Sequence, residues 1–110
     1  MDSILKTIKK LIGVNPEYEQ FDTDLIIDIN TAFMLLHQMG IGPAECYSIT
    51  DANNTWSEFD ASSGLDTIKQ YIALRVRLLF NPPTSSSFIT TINEQIKELE
   101  TRLYTLYGGY

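Results

Sequence analysis

The chain contains one histidine, His37, and one cysteine, Cys46. A Cys/His or Ser/His nucleophilic pair must therefore use His37 or be absent. His37 falls late in a helical pattern, where an imidazolium suits the negative end of the helix dipole, and it reads as a structural or surface residue. Cys46 reads as a small packed side chain, and a lone cysteine can form no disulfide within the chain. Carboxylate pairs for general acid–base work could be drawn from Glu17/Glu19 or Asp24/Asp28, but the sequence implies no pocket around either. Asp51, Asn53 and Thr55 imitate the start of a calcium loop, yet Trp56 stands where glycine is required and Ser62 where the bidentate glutamate belongs. No Cys/His cluster suggests zinc, and no glycine-rich loop opens a helix to cradle phosphate. The expectation is no catalytic residue, no metal site and no cofactor.

Charge is distributed unevenly along the 110 residues. There are 14 acidic and 8 basic side chains, a formal charge of −6. From Gly13 through Ile68 there is no Lys or Arg, while Glu17, Glu19, Asp22, Asp24, Asp28, Glu45, Asp51, Glu58, Asp60 and Asp66 all lie in that stretch. Lysines 6, 9 and 10 precede it, and Lys69, Arg75, Arg77, Lys97 and Arg102 follow it. This balance argues against tight binding of nucleic acid, which needs clustered cations to neutralise phosphates. With 44% hydrophobic and 20% charged residues, the composition is that of a globular chain rather than a disordered one. The length suits a single domain over residues 1–110. The first residues lack the apolar run of a signal peptide, and no run is long enough to span a membrane, so an intracellular soluble protein is expected.

Four helical patterns must position these residues. The first covers roughly Ser3 to Ile12, with Ile4, Leu5, Ile8, Leu11 and Ile12 on one face and Lys6, Lys9 and Lys10 on a solvated one. Ser3 is its predicted cap and Gly13 its stop. The second runs from about Thr23 to Met39, with Asp22 as predicted N-cap, Phe21 and Ile26 at staple spacing, and Gly40 as a left-handed stop. It is apolar on two sides: Leu25, Ile26, Ile29, Ala32, Phe33 and Leu36 form one stripe, and Ile27, Asn30, Met34 and His37 another. Such a helix is either central in its bundle or in contact with another subunit. Residues 41–64 are irregular. Tyr47 and Ile49 alternate with polar residues as in a short strand, and Thr55-Trp56-Ser57-Glu58 has capping-box spacing for a helical turn through Phe59. A small β-hairpin or turn excursion pinned by Trp56 and Phe59 is expected.

The third pattern starts after Ser63, where Ser63 to Asp66 again has capping-box spacing, and stops before Asn81-Pro82-Pro83. Its apolar arc takes in Leu65, Ile68, Tyr71, Ile72, Leu74, Val76, Leu78 and Leu79. Arg75 falls inside that arc and needs a carboxylate or a route to water. The fourth begins among Thr84 to Ser87 and continues to about Tyr107, with Phe88, Ile89, Ile92, Ile96, Leu99, Leu103 and Leu106 in one stripe and Glu98 and Glu100 facing away. Gly108-Gly109 ends it. The predicted fold is all-α: a four-helix, bundle-like domain with a long C-terminal helix and the excursion between its second and third helices.

One stretch stands out from generic helix packing. Arg77-Leu78-Leu79-Phe80-Asn81-Pro82-Pro83-Thr84-Ser85-Ser86 is followed by Gln95-Ile96-Lys97-Glu98-Leu99-Glu100-Thr101-Arg102-Leu103. With Phe33, Met34 and Leu36, then Gly40 and Gly42-Pro43, and the Thr55-Trp56-Ser57 segment, it resembles the head–tail connector (adaptor) proteins of tailed bacteriophages and prophages. The resemblance implies a structural virion protein that waits in the bacterial cytoplasm and then joins a homo-oligomeric ring, dodecameric when assembled. Such a ring sits beneath the portal protein, receives a stopper or tail-completion protein, and extends a channel through which DNA passes without specific binding. No membrane is involved.

Within that frame, Ile27, Asn30, Met34 and His37 are the candidate subunit interface, because a ring subunit needs two heterologous contact faces. Tyr104, Tyr107 and Tyr110, near the Gly-Gly hinge, are candidates for docking to the portal or tail, since tyrosines supply contact area at low entropic cost. Glu17, Glu19, Asp22, Asp24, Glu58 and Asp60 are candidate channel-facing acids that would repel phosphate. The alternative reading is an acidic DNA mimic, or a small regulatory binding protein, acting on a basic host or phage protein.

Overall fold

The computed structural model describes residues 3–42, 45–59, 65–80 and 82–106, with the side chain of Leu106 left aside. The helices in chain order are α1 (Ile4–Leu11), α2 (Asp22–Gln38), α3 (Trp56–Phe59), α4 (Leu65–Phe80) and α5 (Ser86–Leu106). The all-α expectation holds. The excursion between α2 and α4 takes the turn form: the described residues contain no hairpin, only an isolated antiparallel bridge between Ser3 and Thr55 and the single helical turn α3.

The ends of α1 and α2 follow from local chemistry. Ser3 Oγ accepts from the Lys6 amide at 3.3 Å, capping α1. Gly13 (φ 86°) stops it, with the Val14 amide donating back to Lys9 O at 2.8 Å. Gly40 (φ 80°) closes α2 in the same way, the Ile41 amide reaching Leu36 O at 3.0 Å while Ile41 itself is buried. This is the Schellman arrangement, which satisfies the last carbonyls and seats an apolar residue just beyond the helix.

α4 is the hub on which α2, α5 and α1 all pack, in a slab 39 × 36 × 19 Å. Side-chain pairs run antiparallel along its seams: Phe21 of the α1–α2 turn meets Phe80 at the end of α4, and Glu100 of α5 meets Tyr71. One core joins Ile4, Leu5 and Ile8 of α1 to Leu25, Ile29, Phe33 and Leu36 of α2, Ile68, Tyr71, Ile72 and Val76 of α4, and Ile92, Ile96 and Leu103 of α5. Each of those side chains contributes roughly 1.5–3 kcal/mol of transfer free energy on burial. The excursion closes the core from one end through Ile49, Trp56 and Phe59, all buried. Trp56 donates its indole N–H to Thr7 Oγ1 at 3.2 Å, tying α3 to α1.

Several expectations change. Lys9 is not on a solvated face: it is 1% exposed, because residues 13–22 turn back over it. Asp22 is the first residue of α2 rather than its N-cap, a position held by Phe21 without a side-chain cap bond. The Phe21 ring packs on Tyr18 and Phe80 instead of serving as a staple. Glu100 does not face away, since it joins Arg75 across the α4–α5 seam at 2.9 Å. Leu11, Leu79 and Phe88 leave the core and stand exposed, and Cys46 is exposed rather than packed. The readings placed on Pro43, Asp60, Ser62 to Gly64, Asn81 and Tyr107 to Tyr110 lie outside the described residues.

Candidate interaction surface

The geometry of the α1–α2 corner is set by one buried cation. The Lys9 ammonium donates to Tyr18 O at 2.7 Å and Pro16 O at 3.2 Å and pairs with the Asp22 carboxylate. Three oxygen partners compensate an ammonium that would otherwise be costly to bury. By fixing the carbonyls of residues 16 and 18 they also fix where α2 starts. Tyr18 and Phe21 are thereby held at the surface in an edge-to-face pair with centroids 5.3 Å apart, and Phe21 stacks similarly on Phe80 at 5.1 Å.

Beside this aromatic row lies a groove of about 290 Å³ lined by Phe21, Ile27, Leu79 and Phe80, with Asp24 and Asp28 on its rim. Ile27 is 60% exposed and Leu79 52%. Leu79 falls on the same helical arc as Ile68 and Ile72, but the turn of α2 beside it presents Asp24 and Asp28 together with an Ile27 that is itself mostly exposed. Partial burial, reinforced by the neighbouring Asp24 charge, pushes the Asp28 carboxyl above the ordinary carboxylate range. An apolar floor with two carboxylates four residues apart on one helix face can accept an apolar group flanked by a cation.

At the opposite end the polar side chains turn inward. Asn30 Oδ1 accepts from the Ile49 amide at 2.8 Å and its Nδ2 donates to Ile49 O at 3.0 Å. Asn54 Oδ1 gathers the amides of Thr50 and Asp51. Glu58 accepts from Asn54 Nδ2 at 2.9 Å and from the Tyr47 hydroxyl at 2.8 Å. Those two bonds, the Asn54 one first, hold the Glu58 carboxyl below its usual range, while burial and the Glu58 contact push the Tyr47 phenol up.

The candidate subunit stripe on α2 therefore divides. Ile27, Met34 and His37 are exposed, and Asn30 instead anchors the excursion. Tyr104 is half-buried on α5, beside a groove it shares with Leu35, Gln38, Met39, Tyr71 and Glu100. Among the proposed channel acids, Glu17, Glu19 and Asp24 are exposed, with Glu17 3.8 Å from Lys6. Asp22 is held by Lys9, and Glu58 by Tyr47 and Asn54. Leu79 went unmarked as a surface residue because it sits in the apolar arc of α4 that reads as core, and Phe21 because it has the spacing of a staple. The aspartates at 24 and 28 were the available signal that the neighbouring turn would leave Leu79 uncovered.

Among the described residues no group of three or more His, Cys, Asp or Glu side chains is placed to hold a metal ion, and no helix is long and apolar enough to cross a membrane. No curated protein and no solved structure matches the chain. A family model described as phage connector protein matches residues 4–109. With that match spanning nearly its whole length, the chain belongs to the phage connector protein family.

Proposed function

We propose that this chain is a subunit of the head–tail connector ring that docks beneath the portal and extends the DNA channel toward the tail or stopper. Membership of the connector family over residues 4–109 is the observation that carries the reading. The surface is compatible with it. Ile27 and Met34 are uncovered on α2, as a subunit that packs between neighbours requires. Glu17 and Glu19 are exposed acids that, turned toward the channel, would repel phosphate and let the duplex slide. Tyr104, together with Tyr107 and Tyr110, is assigned the contact to the portal or tail.

The test is light scattering of the full chain with and without purified portal protein. A complex carrying several copies of this chain per portal is the expected result. A chain that elutes unchanged in the presence of portal overturns the reading. Removing residues 108–110 should weaken portal binding, and unchanged binding would remove the tyrosine tail from the docking surface. Acids that map to the outside of an assembled ring would end the channel assignment.

A further inference from the structure

We propose that the acid-rimmed groove between α2 and the end of α4 receives the Lys10–Leu11 corner of a second copy of this chain. The inference rests on the ring reading above and names its contact.

The groove holds apolar side chains that its own chain leaves uncovered, with Ile27 60% and Leu79 52% exposed. Its rim carries Asp24 and Asp28, and no cation lies among the described residues that line it. Asp28 is held above the usual carboxylate range by partial burial and by Asp24, so a cation brought to the rim relieves a repulsion already present.

The chain also exposes the matching shape. Leu11 is 51% exposed, and Lys10 beside it is exposed on the last turn of α1. Of the other uncovered apolar side chains at this end, Tyr18 lies between Glu17 and Glu19, Ile27 precedes Asp28, and Phe88 stands between Ser87 and Ile89 with no adjacent cation. Leucine filling the apolar floor while lysine meets the two carboxylates satisfies both halves of the groove at once.

Leu11 borders Gln70, Ala73 and Leu74 of α4, whereas the groove borders Leu79 and Phe80. Corner and groove are separate patches of one chain, and the proposed pairing of one with the other is head-to-tail. Head-to-tail contacts repeat from copy to copy and close into a ring when the rotation allows.

The contact can be trapped in the full chain. With Cys46→Ser as background, Lys10→Cys and Asp24→Cys are made separately and together. Mixed and oxidised, the two single variants should give mainly the mixed disulfide, and the chain bearing both should give a ladder beyond dimers. A charge exchange supplies the second readout. Lys10→Glu or Asp24→Lys alone should weaken concentration-dependent self-association by about tenfold, and the two together should restore it. A merely statistical set of disulfides, or association indifferent to both charge variants, overturns the contact. If that occurs while several copies still assemble on portal, the ring reading stands and the groove is open to a portal or tail segment. If neither assembly nor portal binding occurs, both fall.

Discussion

The two ends of the molecule treat polar and apolar groups in opposite ways. At the excursion end, Asn30, Asn54, Tyr47 and Glu58 bind backbone and one another, and Ile49, Trp56 and Phe59 are sealed beneath them. At the end where α1 turns into α2 and α4 into α5, the apolar side chains of Leu11, Tyr18, Phe21, Leu79 and Phe88 stand in water. Partial burial first, and the Asp24 charge second, push the Asp28 carboxyl there above the ordinary range. One end closes the core; the other leaves apolar area for something outside the chain to cover. An irregular segment can thus be the more self-contained part of a helical protein, and the regular helix ends the less finished one.

The strongest way to break this contrast is at Lys9, the buried charged side chain among the described residues of the open end. Lys9→Ala strips the Asp22 carboxylate and two carbonyls of their cation and should cost about 3–5 kcal/mol in urea unfolding. Removing the stranded charge as well, Lys9→Met with Asp22→Leu, should recover only the Asp22 share of that loss, since the Pro16 and Tyr18 carbonyls still lack their donor. Full recovery would mean that the two carbonyl bonds contribute nothing to the corner. At the closed end, Gly42 has φ 99°, and a Cβ there would come within 2.8 Å of the Phe59 ring. Gly42→Ala should therefore cost about 2–3 kcal/mol, from backbone strain and displacement of a core ring, measured by thermal unfolding. Asn30→Ala orphans the Ile49 amide and carbonyl and should cost about 1–2 kcal/mol. Hydrogen exchange at the Ile49 amide reports it directly: fast exchange in the variant with α4 still protected would place the loss in the excursion alone.

What was legible in the sequence was local. Ser3, Gly13 and Gly40 cap or stop helices through bonds within a few residues, and the Thr55-Trp56-Ser57-Glu58 spacing marked α3. The need of Arg75 for a carboxylate was also legible, since it depends only on which arc of α4 is apolar. Its partner was not: Glu100 follows Leu99 at the flank of the α5 stripe, and which flank meets α4 depends on how α5 is rolled against it. Lys9 was misread for the same reason, as its burial is produced by Pro16 and Tyr18 folding back over α1. Tyr47 and Ile49 alternate like a strand, but side-chain amides of Asn30 and Asn54 take the backbone groups of Ile49, Thr50 and Asp51, and no second strand is needed. The groove was hidden because Leu79 looks like core until the helix turn opposite it is known. Of the candidate stripe on α2, Ile27 proved part of that groove and Asn30 part of the excursion.

The smallest expected effects separate the two ends by sign. Glu58 is fully exposed, and its hydrogen bonds from Asn54 and Tyr47 hold its carboxyl below the ordinary value of 4.5. A depressed carboxyl contributes stability that is present above the unfolded value and lost as pH falls through the folded one. Asp28 is raised above 3.8 by burial and by Asp24, so its favourable contribution is present at low pH and lost as pH rises through the folded value. At neutral pH, Glu58→Gln should therefore lower the unfolding midpoint slightly and Asp28→Asn should raise it slightly. Both differences should shrink toward zero once the medium is acidic enough to protonate the two groups in folded and unfolded chains alike. Thermal midpoints of the two variants from pH 7 down to about pH 2 measure this, because ordinary carboxyls are mostly protonated only below about pH 3 and the depressed Glu58 requires a lower pH still. Midpoints that move in the same direction would mean that the rim aspartates are stabilised by their surroundings after all. The groove would then have no unmet demand for a cation, and the contrast between a finished end and an open one would rest on its apolar residues alone.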